Sequence, residues 1–211
     1  MPKTSNPGLN LFLDILLKLE SLEIPYAIIG GFAATMYGIT RATFDIDIVV
    51  NMEEKHIQAL STAYPLPRYY ADPHQMRNAM QIGSSFNIID SSRGEKADLF
   101  PLTMDLRYNS AFDNRIRRIV DLPNKEPFAV WAARPEDVII GKLMAWNEGR
   151  SDRHTSDIFE IMLFHYLGGE SSLDFDKQYV TERAQAIGEE AADIWIWKLI
   201  EMAAGEEARR N

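Results

Sequence analysis

Residues 24–50, IPYAIIGGFAATMYGITRATFDIDIVV, decide the fold. Tyr26 to Ile29 form a short β-rich run that stops at Gly30-Gly31, the pattern of a buried strand feeding a turn. From Phe32 the residues suit a short helix closed by Gly38. Beyond Ile39 the period changes to two, which sets Asp45 and Asp47 on one face of a strand and Phe44, Ile46 and Ile48 on the other. An ionised carboxylate inside a buried strand costs several kcal/mol of effective desolvation. Two on one face therefore demand a cation. Residues i and i+2 lie about 6.6 Å apart along a strand, close enough for both carboxylates to converge on a metal ion.

Working outward, Ala97-Asp98-Leu99-Phe100 holds another isolated acid in an apolar strand. If that strand neighbours the first, their backbones are about 4.8 Å apart, and three carboxylates could hold one or two Mg2+ ions, which take hard oxygen ligands and bridge phosphates. Gly30-Gly31 supplies a complementary feature, because glycines between a strand and a helix let phosphate approach bare backbone N–H groups. It matches neither GxGxxG nor Walker A.

The flanking sequence fills in the architecture. Leucines 11, 16, 17, 19 and 22 recur near helical spacing, and Pro25 ends that helix around Glu23. MEEKHIQALSTAY predicts a helix, Asp72-Pro73 an N-cap and first turn, and SFNIID, SSRGE and KADLFPL a hairpin centred on Arg93-Gly94. Arg115 to Val120 and Phe128 to Trp131 are further strands. From Pro135 the chain turns helical: PEDVIIGKLMAWNEG, SDIFEIMLFHYLG, and a long segment from about Asp176 to Arg209. The expected fold class is α/β (α+β), with a small mixed-sheet core with helices at 1–134 and a helical C-terminal region at 135–211.

Composition excludes several classes. With 211 residues, 46% hydrophobic and 25% charged, the chain has a globular profile. Its net charge of −9 argues against coating nucleic acid by bulk electrostatics, so any contact with RNA or DNA must be local. Absence of cysteine excludes disulfides and thiolate metal sites. No apolar run approaches the roughly 20 residues of a membrane span, and Asn10, Asp14, Lys18 and Glu20 spoil a signal-peptide core. A cytoplasmic protein with no membrane partner is expected.

The quoted stretch resembles the nucleotidyltransferase signature of the DNA polymerase beta superfamily, and within it the AbiEii-like branch; the resemblance covers roughly residues 24–162. It implies a nucleotidyltransferase core in which Gly30 and Gly31 contact nucleotide phosphates, Asp45 and Asp47 bind metal, and Asp98 is the third acid, placed to activate the acceptor. ARPEDVIIGKLMAW and SDIFEIM resemble the downstream motif, which implies that Lys142 reaches the triphosphate with Asp157 nearby. Implied partners are an NTP, an acceptor that is tRNA, a protein or a small molecule, and, for a toxin of this branch, an antitoxin protein. Where toxin members tend to carry Lys-Asp-x-x-Asp, this chain has Ser156-Asp157-Ile158-Phe159-Glu160. Alternatives are an aminoglycoside or lincosamide nucleotidyltransferase, and a non-catalytic nucleotide-binding protein of the same fold.

Some residues admit plainer readings. Lys142 also suits the solvated face of an amphipathic helix. Arg41 either touches a nucleotide phosphate or offsets nearby aspartates. Asp90 reads as a turn acid. Arg115, Arg117 and Arg118 read as a solvated edge strand or as a local contact for a nucleic-acid backbone.

Overall fold

Short strands with one polar face need neighbours, and the seven strands among the described residues supply them to one another in a single mixed sheet. The structure, a computed structural model, describes residues 9–41, 43, 45–120, 126–167 and 174–210. These fall into two compact units, bounded by Met1–Phe32 and Ala42–Ala132 in the first and by Ala33–Arg41 and Ala133–Asn211 in the second. No helix among the described residues is long and apolar enough to cross a membrane.

The first unit opens with α1 (Leu9–Ser21), β1 (Tyr26–Ile29) and the start of α2 (Gly30–Thr35), which carries the chain into the second unit. It resumes with β2 (Asp45–Val50), α3 (Glu54–Ala63), β3 (Tyr69–Tyr70), α4 (Pro73–Ile82), β4 (Phe86–Asp90), β5 (Glu95–Pro101), α5 (Tyr108–Asp113), β6 (Ile116–Val120) and β7 (Phe128–Ala132). The strand order is β3-β4-β5-β2-β1-β7-β6; β2–β5 and β1–β7 are parallel and the other pairs antiparallel. Phe44, expected opposite the acids, lies outside the described residues.

Period-two patterning gives the sheet two unlike faces. Ile28, Ile46, Ile48, Phe86, Ile88, Ala97 and Leu99 share one face by register and are fully buried. Helix α1 packs against β5 and α4 against β4. On the other face Ala27, Val49 and Phe112 form a smaller cluster with Ile29, Phe100, Leu102 and Tyr108, so α5 covers only the apolar part of it. The polar part of that face carries the acids.

Local capping explains where elements stop. Asp72 caps α4 by accepting from the His74 N–H at 2.8 Å, with Pro73 in the first turn, as the sequence predicts. The loop between β4 and β5 is held by Asp90, whose Oδ1 accepts from the Ser92 N–H and whose Oδ2 accepts from Arg68 Nη2 at 2.8 Å. Hydrogen bonding from Arg68, against the opposing effect of desolvation, holds the Asp90 carboxyl at about 2, below its ordinary 3.8. A depressed carboxyl stabilises the fold above its unfolded value and loses that contribution as pH falls through its folded value. Unfolding free energy should thus drop as pH falls from about 4 to about 2, and Asp90→Asn should flatten that segment of a urea-denaturation pH series.

The second unit contains α6 (Pro135–Gly149), α7 (Asp152–Tyr166), α8 (Lys177–Ile187) and α9 (Glu189–Arg210). Its core includes Val138, Ile139, Leu143, Ile158, Ile161, Val180 and Trp195, and the Trp195 Nε1–H donates to Thr181 Oγ1 at 2.8 Å. The segment expected as one helical run from about Asp176 is two helices. The chain breaks at Gly188, whose φ of +153° suits a residue without Cβ.

Candidate functional site

The candidate site grows from the pairing of β2 with β5. These parallel strands set Asp45 opposite Lys96 and Asp47 opposite Asp98, so Asp45, Asp47, Lys96 and Asp98 share one face. On the next strand Asn87 stands opposite Asp98. Asp45 is exposed and Asp47 half-buried, while the Asp98 side chain keeps 18% of its surface. Asp98 Oδ2 accepts from Lys96 Nζ at 2.7 Å, and Oδ1 accepts from Asn87 Nδ2. The hydrogen bond to Asp98 raises the Lys96 ammonium above its ordinary value, and the charges of Asp45 and Asp47 add to the effect. Among the described residues, no three His, Cys, Asp or Glu side chains are grouped to hold a metal ion as they stand. Asp98 is instead engaged by Lys96 and Asn87.

Gly30 is fitted to the same acid. Its φ is +65°, and a Cβ built there would collide with the Asp47 carboxylate. Gly31 is less constrained, since its Cβ would stand 3.3 Å from Thr43 Oγ1. Besides the phosphate-facing role expected of the pair, Gly30 clears space for Asp47. Gly30→Ala should therefore destabilise the first unit by about 1–3 kcal/mol through backbone strain and push Asp47 aside. Urea denaturation checks the first effect. A midpoint equal to wild type would refute it.

In the second unit, Asp157 is buried and receives two cations. Arg41 donates from Nε to Oδ1 at 3.0 Å and from Nη2 to Oδ2 at 2.6 Å, and Lys142 Nζ donates to Oδ2 at 2.6 Å. Burial works against the Asp157 charge, but the bonds from Arg41 and Lys142 outweigh it and hold its carboxyl below the ordinary range. The Lys142 side chain retains 7% of its surface and that of Arg41 31%. Lys142 is thus a buried, paired lysine, not a solvated one. Arg41 offsets an aspartate, and that partner comes from α7.

The basic run has partners within the first unit. Edge strand β6 carries Arg117, which pairs with Glu20 at 2.6 Å and stands over the Trp131 ring, and Arg115 stands over the Phe112 and Trp131 rings. Lys96 and Asn87 are the residues at the acid face that the sequence reading does not single out. Lys96 had a signal, two positions before Asp98 on a period-two strand.

No family model matches the sequence, and no curated protein does. The fold has solved counterparts. The crystal structure of an antigenic nucleotidyltransferase-like protein from Paracoccidioides brasiliensis superposes with a TM-score of 0.51 at 17% identity, over 97% of this chain and 92% of that one. That of ANT(2")-Ia in complex with adenylyl-2"-tobramycin superposes with a TM-score of 0.50 at 15% identity, over 85% and 95%. The chain therefore has the mixed-sheet fold of nucleotidyltransferase-like proteins.

Proposed function

We propose that this protein is a metal-dependent nucleotidyltransferase that moves a nucleoside monophosphate from an NTP to an acceptor hydroxyl and releases pyrophosphate. One observation carries the reading: Asp47 and Asp98 stand in register on neighbouring strands, with Asp45 two residues along and Gly30 bare beside Asp47. The donor set suits Mg2+, being three carboxylates with no softer ligand, and Asp45, Asp47 and Asp98 would hold it. When bound, one or two Mg2+ ions supply charge neutralisation and orientation for in-line attack on the α-phosphorus.

The chain's own groups do the rest. Backbone N–H groups at Gly30 and Gly31 offer donors to phosphate oxygens. Asp98 takes the proton of the acceptor hydroxyl as its oxygen bonds to the α-phosphorus and the bond to the bridging oxygen breaks. A share of Arg41, Lys142 and Asp157 in nucleotide binding rests on the sequence resemblance, supported by a partly exposed guanidinium held on a buried carboxylate. The AbiEii-like branch, with its toxin role and antitoxin partner, rests on that resemblance alone. Use of an NTP supports a cytoplasmic location.

The acceptor classes are RNA such as tRNA, a protein, or a small molecule. A net charge of −9 disfavours broad contact with a polyanion, so an RNA acceptor needs a local site. The tobramycin adduct bound to ANT(2")-Ia makes an aminoglycoside the first small molecule to try. The test incubates pure protein with each α-labelled NTP and with total RNA, protein or small-molecule extract, with Mg2+ or with EDTA. Label should enter one fraction in Mg2+ alone. Absence of label from every fraction would overturn the reading.

A further inference from the structure

The proposed metal site contains a cation of its own. Lys96 lies on the same strand and face as Asp98, two residues before it, and its ammonium sits 2.7 Å from Asp98 Oδ2. The opposite residue on β2 is Asp45, and Asp47 stands opposite Asp98, so three carboxylates and one ammonium form a single polar patch. Asn87 engages the other Asp98 oxygen. A dication approaching Asp98 thus meets a carboxylate whose oxygens already carry donors.

We propose that Lys96 is an internal counter-cation that competes with divalent metal for Asp98 and thereby sets the metal affinity of the site. The inference rests on the metal-dependent reading above and deepens it. Without Lys96 the patch carries three negative charges; with it the net is two. An ammonium in place offsets carboxylate repulsion in the metal-free protein and weakens the attraction for a dication by occupying Asp98. Its side chain keeps 42% of its surface, so the stem has room to swing aside without rebuilding the core. Lys96 is therefore a positioning residue: it holds Asp98 until metal displaces it.

Removing the charge should have two effects of opposite sign. Metal should bind tighter by about five- to tenfold, a modest factor because the pair is partly exposed and screened. The metal-free protein should melt lower, and the upward shift of melting temperature on adding metal should be larger than in wild type.

The experiment uses Mn2+ alone as a paramagnetic substitute for Mg2+. Its binding to the full chain is measured at fixed salt by electron paramagnetic resonance of the free ion, with thermal melts in parallel. Proteins compared are wild type, Lys96→Met, Lys96→Gln, Lys96→Arg and Asp47→Asn. Tighter Mn2+ binding by both neutral variants, near-wild-type affinity in Lys96→Arg and weaker binding in Asp47→Asn are expected. If wild type binds and Asp47→Asn is weakened while the neutral variants equal wild type or bind more weakly, the role of Lys96 is overturned and the metal site stands. Tighter binding in Lys96→Arg equal to that in Lys96→Met would also overturn it, because the charge would not be the cause. If neither wild type nor the neutral variants bind Mn2+, the metal site itself is refuted, and the role of Lys96 with it.

Discussion

Replacing Asp47 with alanine should lower nucleotide transfer by about a thousandfold or more while the protein stays folded. A metal ion stabilises the charge of a phosphoryl transition state by several kcal/mol, and each 1.36 kcal/mol is about a tenfold change in rate. Asp47 is central to the proposed ligand set, paired with Asp98 across the strands and set against Gly30. The substitution leaves the backbone ladder with β1 and β5 intact. It also removes one of three carboxylates from a shared face, which relieves repulsion in the metal-free state. The expected signature is thus loss of label transfer at saturating Mg2+, with a metal-free melting temperature no lower than wild type. Asp45→Ala should behave alike, because Asp45 is exposed and on the same face. Transfer within tenfold of wild type in either variant would remove the acids from the active site.

The acid face was legible in the sequence because it rests on local rules. Alternation in β2 gives the shared face of Asp45 and Asp47, and the isolated polar residue in ADLF marks Asp98. That β2 and β5 are neighbours is a topological fact which alternation alone does not supply. Asn87 was hidden by register. A turn centred on Arg93-Gly94 would set Asp98 opposite Ile89, whereas Asp90 pairs with Glu95 and brings Asn87 to Asp98. Strand β3 and helix α5 are too short for a period to show. Harder still was the partner of Arg41, since Asp157 lies 116 residues away and nothing local announces their pairing.

That pairing leads to the largest stability effect. Asp157→Ala should destabilise the second unit by about 3–5 kcal/mol, because it strands the Lys142 charge in a buried setting with no counter-ion. Lys142 keeps only 7% of its side-chain surface and cannot escape to water without disturbing α6 and α7, whereas Arg41 at 31% can turn outward. A domain is held by roughly 5–15 kcal/mol in all, so the loss consumes a large part of the margin. Lys142→Met should cost less, because Arg41 still neutralises Asp157 through two hydrogen bonds and the methionine fills the space of the lysine stem. Combining Lys142→Met with Asp157→Ala should recover part of the loss seen in Asp157→Ala alone, since no ammonium is then left unpaired. Urea denaturation followed by circular dichroism at neutral pH measures all three. Were Asp157→Ala to stay within about 1 kcal/mol of wild type, or the double variant to be no more stable than the single, the Asp157 carboxylate would not be what keeps a charged Lys142 inside the helical unit.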